Sequence, residues 1–215
     1  MKIVVKVGGS VSMGEFGPDF SYFSRLLPLL RALKGKNQLI VAIGGGSLTR
    51  KYGKSIEKFS LKNEEKEKIF IELIKANVLL VSYSLGMRPL FRIEEIDQNT
   101  SGVIGGIIPG RSTDANAAIA AKIIDADLFV KLSDVEGIFD KDPKKFKNAK
   151  KIDSMTFSDL KKFSVKGMPN NYGILDATAI RTLDEAGIRT IIVSGKDPRN
   201  LAKAVAGEPV GTLIS

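Results

Sequence analysis

The chain has 215 residues, 43% hydrophobic and 27% charged, the balance of an ordinary folded α/β domain with room for a sizeable core. It holds no cysteine and no histidine, which excludes disulfides, thiolate catalysis, a Ser–His–Asp triad and Cys- or His-ligated metal together. The net charge of +9 spreads along the chain, with one cluster at 141–151 and no aromatic interleaving, which favours attraction of small anions over nucleic-acid binding.

A buried strand is expected over 3–7. It leaves no room for a leader ahead of it, and no apolar stretch is long enough to span a bilayer, so a cytoplasmic protein is expected. Apolar residues at helical spacing predict a helix over 20–33, and a second strand follows at 38–43. That strand breaks into Gly44-Gly45-Gly46 and restarts as a helix opening at Ser47. A long helix covers 63–82, polar at first and apolar later. Strands at 89–91 and 103–108 precede an alanine-rich helix over 113–124, for which Ser112, Thr113 or Asp114 is available as cap. A strand at 128–132 ends in the loop 133–143. Residues 144–171 are lysine-rich and carry a short helix opened by Thr156-x-x-Asp159; the segment 141–171 is expected to act as a mobile lid. Asp176 caps a helix that stops at Gly187, and a strand follows at 189–193.

Alternating strand and helix predict a three-layer α/β/α sandwich with a mainly parallel central sheet, formed as a single domain over 1–215. Ligands of such sheets sit beyond the carboxyl ends of the strands. Three strand-to-glycine junctions belong there, at 2–10 (KIVVKVGGS), 39–47 (LIVAIGGGS) and 103–114 (VIGGIIPGRSTD). Glycine permits close backbone approach, and the first turn of a helix offers unpaired N–H groups and partial positive charge. With Lys6, Arg50 and Arg111 nearby, the three junctions point to a polyphosphate site. GGIIPGRS at 105–112 has the spacing of a P-loop, but Arg111 stands where the lysine belongs, and the segment comes mid-chain.

Lys6 lies inside the apolar run IVVKV. It reads either as an edge-strand residue in solvent or as a cation that neutralises charge on a transferring phosphoryl group. Asp114 reads as an N-cap, or as the carboxylate that orients Lys6. Ser133-Asp134 and Asp142-Pro143 mark turns, or hold a ribose or a magnesium-bound phosphate.

KVGGS, IGGGS, GRSTDANAAIAA, KLSDVEGIFDKDP and DATAIRTLDEAGIRTIIVSG, in this order, resemble the amino-acid kinase family nearly end to end. Within it, the length, PGRSTDA and the ending EPVGTLIS are similar to the archaeal uridylate kinase branch. The resemblance implies transfer of the γ-phosphoryl group of ATP to UMP in pyrimidine biosynthesis, with Mg2+, by a cytoplasmic homohexamer. It implies an acceptor-binding part over about 1–112 and an ATP-binding part over about 113–215. Carried over by motif, Lys6, Asp114 and Arg50 would be catalytic. Gly9, Ser10, Gly46 and Arg50 would touch ATP phosphates, and Ser133, Phe139 and Asp142 would line its base and ribose. Gly45, Ile107, Ile108, Pro109, Gly110, Arg111, Ser112 and Thr113 would hold UMP, with Glu67 at its ribose. Lys166 is the nearest match to a second lysine that balances Lys6. No protein metal ligands are implied.

Isopentenyl phosphate kinases resemble the chain but rely on a histidine after the triple glycine, where this chain reads GGGSLTRKYGK. Acetylglutamate kinase is the enzymatic alternative, because KLSDVEGIFD resembles its nucleotide loop, although the chain is short for it. A non-catalytic nucleotide- or oxyanion-binding module of the same fold is the other.

Overall fold

The computed structural model describes residues 1–141, 143, 145–165 and 174–215. In chain order the elements are β1 (Lys2–Val7), α1 (Gly9–Ser12), α2 (Phe20–Lys34), β2 (Gln38–Ile43), α3 (Gly46–Ile56), α4 (Asn63–Leu85), β3 (Pro89–Leu90) and β4 (Gly102–Ile104). They continue as α5 (Thr113–Ile123), β5 (Leu128–Ser133), β6 (Ile138–Phe139), β7 (Lys151–Ile152), β8 (Ser154–Met155) and α6 (Phe157–Val165). The last are α7 (Ala177–Glu185), β9 (Thr190–Ser194), α8 (Arg199–Ala206) and β10 (Thr212–Ile214).

The main sheet has eight strands in the order β3-β4-β2-β1-β5-β9-β10-β8, all parallel except the β9–β10 pair. β6 and β7 form a separate antiparallel ribbon. Strands covered on both faces need apolar side chains in both directions, which is why β1, β2 and β5 read as continuous hydrophobic runs rather than alternating ones. On one face, α2, α4 and α8 close a core containing Leu26, Leu30, Val78, Val81 and Leu201. On the other, α5, α6 and α7 contribute Ala117, Ala121, Leu160, Ile180 and Leu183. The buried alanines of α5 let that helix lie close against the sheet, bringing its first turn near the ends of the strands. No helix among the described residues is long and apolar enough to cross a membrane.

The three-layer expectation holds, with three differences in detail. The strand expected over 103–108 ends at Ile104. Gly105 is wedged against α4, where a Cβ would lie 2.6 Å from Ile74 Cγ2 and 2.7 Å from Val78 Cγ2, and the chain leaves the sheet there. Lys6 is no edge residue, because β1 lies between β2 and β5 and Lys6 is only 8% exposed. The third is a set of elements not expected above: the short strands β6, β7 and β8, the helix α8 and the antiparallel strand β10.

Candidate active site

β1, β2, β4 and β5 run in the same direction, so their carboxyl ends share one edge of the sheet. The three glycine junctions and Ser133 meet there. Gly8 N–H donates to Leu132 O at 2.9 Å, tying the first junction to the end of β5. The first two junctions touch backbone to backbone. A Cβ on Gly9 would fall 2.5 Å from Gly46 Cα, and Gly46 has φ +62°, a left-handed conformation that suits glycine. The glycines thus serve contact between two loops of the protein as well as access for a ligand. Neither α1 nor α3 has a side chain capping its N-terminus, so their first-turn N–H groups face the mouth.

Beside these turns lies a charge cluster. Asp114, in the first turn of α5, receives two lysines. Lys131 Nζ donates to Oδ2 at 2.6 Å, and Lys6 Nζ lies 2.9 Å from Oδ1. The Lys6 contact is an ion pair without hydrogen-bond alignment, since Oδ1 accepts no hydrogen bond. Lys6 and Lys131 are register partners in adjacent parallel strands, so both ammoniums leave the sheet on the same side. Burial works to raise the Asp114 pKa, but the charges of Lys6 and then Lys131 outweigh it and hold the carboxyl below its ordinary value. Lys131 is pushed down to about 8, by burial first; Asp114 opposes that shift and Lys6 adds to it. Two cations locked on one carboxylate leave a local excess of positive charge in a largely water-excluded place. Such a site stabilises negative charge that develops on a phosphoryl group.

Next to this cluster is a cavity of about 380 Å³, within the range of small-molecule sites. Glu67 and Phe70 on α4 and the loop 108–113 line it. Glu67 accepts a hydrogen bond from Gly110 N–H, which fixes the loop on the helix. Ser112 caps α5 by accepting from Ala115 N–H at 3.0 Å, and its own hydroxyl donates to Asp176, the cap of α7. Thr49 lines the same cavity, with its hydroxyl buried against Gly45 and without a hydrogen-bond partner among the described residues.

The structure therefore gathers Glu67, Ile108, Pro109, Gly110, Arg111, Ser112 and Thr113 around one cavity, with Gly45 behind Thr49 at its wall. Ile107 turns instead into the core on the α5 side. Gly9, Ser10 and Gly46 sit at the glycine turns, and Arg50 is exposed on α3 with no ion pair among the described residues. Ser133 is buried at the end of β5, and its carbonyl accepts from Gly195 N–H at 2.6 Å. Phe139 is half-buried on β6 opposite Lys151. Asp142 and Lys166 lie outside the described residues, as does part of the expected lid. Sequence reasoning missed Lys131. The signal was available, because FVKLS repeats the pattern of VVKVG, a lysine inside an apolar strand just before its end.

The sequence pattern of the amino acid kinase family matches residues 92–198. The uridylate kinase of Methanobrevibacter smithii is 33% identical over 225 residues, spanning 100% of this chain and 99% of that protein. The uridylate kinase of Thermococcus kodakarensis is 33% identical over 224 residues with the same coverage. The chain belongs to the amino acid kinase family. Among solved structures of this family, the uridylate kinase of Archaeoglobus fulgidus superposes with a TM-score of 0.89 at 29% identity, covering 100% of both chains. The UMP kinase of Bacillus anthracis shares the amino acid kinase fold, with a TM-score of 0.83 at 19% identity.

Proposed function

We propose that the protein transfers the γ-phosphoryl group of MgATP to UMP, giving ADP and UDP. The observation that carries this reading is the Lys6–Asp114–Lys131 cluster, set between the glycine turns and the cavity, in a chain similar over its whole length to uridylate kinases. Those relatives favour a nucleotide acceptor over acetylglutamate, and the intact pair of Lys6 and Asp114 favours catalysis over storage.

The attacking oxygen belongs to a phosphate that is already ionised, so no strong general base is required. Catalysis then consists of alignment and charge stabilisation. Lys6 stands nearest the transferring group, because its strand runs directly into the first glycine turn. Lys131 shares Asp114 and takes the role for which Lys166 was the sequence candidate. Both Asp114 oxygens face ammoniums, so Asp114 positions the lysines and is not a metal ligand. Mg2+ would come as part of the MgATP substrate, with no protein ligand assigned to it, and would supply charge neutralisation of the transferring phosphates. The N–H groups of Gly9, Ser10 and Gly46, with Arg50, hold the ATP phosphates, while Ser133, Phe139 and Asp142 border the nucleoside. Arg111 fixes the acceptor phosphate, and Glu67 meets the ribose. On this reading residues 1–112 form most of the acceptor side and 113–215 most of the donor side, in a cytoplasmic homohexamer serving pyrimidine biosynthesis.

The test is MgATP turnover against UMP, CMP, dUMP, acetylglutamate, aspartate and isopentenyl phosphate. Selective turnover of UMP is expected. Preference for acetylglutamate would overturn the acceptor, and ATP binding without turnover of any acceptor would favour the storage reading.

A further inference from the structure

The acceptor cavity has two unlike sides. Glu67, Arg111, Ser112 and Thr113 supply its polar side chains. Phe70, Ile71 and Ile74 form an apolar side, and with Glu67 they fall at i, i+3, i+4 and i+7 on one face of α4. Phe70 is the one aromatic residue among the described residues that line the cavity. Its ring rests on α3 at Gly53. A Cβ on Gly53 would lie 3.2 Å from Phe70 Cζ and 3.5 Å from Phe70 Cε1, and outside its own helix it would meet nothing else within 4 Å among the described residues. Gly53 sits inside α3 without a positive φ, so the backbone conformation does not call for glycine. Glycine in a helix interior is destabilising relative to alanine. The Phe70 ring is the neighbour that accounts for it.

We propose that Phe70 is a specificity-determining residue: seated on Gly53, it closes the acceptor cavity at the depth of a single-ring base and so selects pyrimidine over purine nucleoside monophosphates. The cavity runs outward from the glycine junctions. Ile74 lies against Gly45, Gly105 and Gly106, and Phe70 stands about one turn of α4 farther out. Gly53 likewise lies about two turns of α3 beyond Gly45. An acceptor whose phosphate lies at the junctions therefore extends toward the contact of Phe70 with Gly53. A nucleoside presents a hydroxyl-bearing sugar and a flat base. The sugar suits the Glu67 side of the cavity, and the face of the base suits Phe70, Ile71 and Ile74. The Phe70 ring reaches from α4 to the backbone of α3, so a fused second ring would have to displace it. Glycine at 53 lets the ring draw back against α3, and a methyl group there would press it into the cavity.

The inference rests on the acceptor reading above, and its test separates the two. Wild type, Phe70→Ala, Phe70→Leu and Gly53→Ala are compared with MgATP as donor and UMP or GMP as acceptor, reading UDP and GDP directly. The ATP KM and the thermal midpoint are measured beside them. Wild type should use UMP and not GMP. Phe70→Ala should raise the UMP KM about tenfold, lower the UMP-over-GMP ratio of kcat/KM by at least about tenfold, and change the ATP KM less than about twofold. Phe70→Leu keeps apolar bulk and should fall between wild type and Phe70→Ala; it carries the test if the alanine variant does not fold. Gly53→Ala should raise the UMP KM while leaving the midpoint unchanged or higher, an opposition that a purely structural contact would not give. Wild-type selectivity in Phe70→Ala would overturn the inference, as would wild type that uses GMP as well as UMP, or equal rises in the UMP and ATP KM values. Gly53→Ala with a lower midpoint and the wild-type UMP KM would overturn the seating of the ring. Wild type that binds UMP without turning it over would sink the proposed reaction, and dissociation constants for UMP and GMP from isothermal titration would then judge Phe70 in place of KM. Wild type that neither binds nor phosphorylates either nucleotide would sink both.

Discussion

Lys6 and Lys131 stand opposite one another in adjacent parallel strands, and both reach the carboxylate of Asp114. Neither side chain would be tolerated at 8% and 3% exposure without that carboxylate, and the carboxylate would not stay ionised without them. The cluster is therefore a single electrostatic unit, and its members are expected to fail differently.

Lys6→Ala removes one cation and leaves Asp114 paired with Lys131. Turnover should fall by about 10²–10³ while the fold survives. Steady-state rates beside a near-UV circular dichroism spectrum check this, and unchanged turnover would remove Lys6 from the chemistry.

Asp114→Asn removes the carboxylate that two buried ammoniums share. A loss of about 3 kcal/mol in stability is expected, together with loss of turnover. Denaturant unfolding reads the first quantity, and an unaltered midpoint would show that the lysines do not depend on this carboxylate.

The position of Lys131 near pKa 8 gives activity and stability opposite slopes in alkali. Below about 8 both folded and unfolded chains hold its proton. Between about 8 and its ordinary 10.5 the folded protein has released the proton and the unfolded chain has not, so this group's contribution to stability rises with pH. The cationic form is lost over the same window, so turnover should decline. In Lys131→Arg, which stays charged, the ratio of rates at pH 9 and pH 7 should be flat. A declining profile in that variant would assign the titration elsewhere.

Gly9→Ala drives a Cβ into Gly46 Cα, backbone against backbone, with no flexible side chain to yield. The two turns should separate, costing about 1–3 kcal/mol and raising the ATP KM. Unaltered ATP binding with reduced stability would mean that these turns brace the fold and do not hold the donor phosphates.

Glu67→Ala releases the Gly110 N–H and opens the acceptor cavity. UMP affinity should drop and ATP affinity hold, a split that isothermal titration of each nucleotide resolves. Equal losses would place Glu67 outside the acceptor site.

Local sequence determined what depends on neighbours along the chain. The apolar runs of β1, β2 and β5, the cap at Asp176, a cap somewhere within 112–114, and the glycine junctions all announce themselves by composition and spacing. Their parallel order then follows from the alternation of strand and helix. What spans distance along the chain was decided by tertiary structure alone. Lys131 lies 125 positions after Lys6, and only the β1–β5 register makes the two a pair. Asn77 and Asn116 look like ordinary helix residues until α4 and α5 are docked on opposite faces of the sheet, where their buried amides donate to the carbonyls of Gly44 and Gly105. Gly9 and Gly46 look like ligand-facing glycines until their loops are seen in contact. The physical reason is shared: a period of two or of 3.6 residues encodes which face is buried, whereas the partner of a buried charge or amide is chosen by packing.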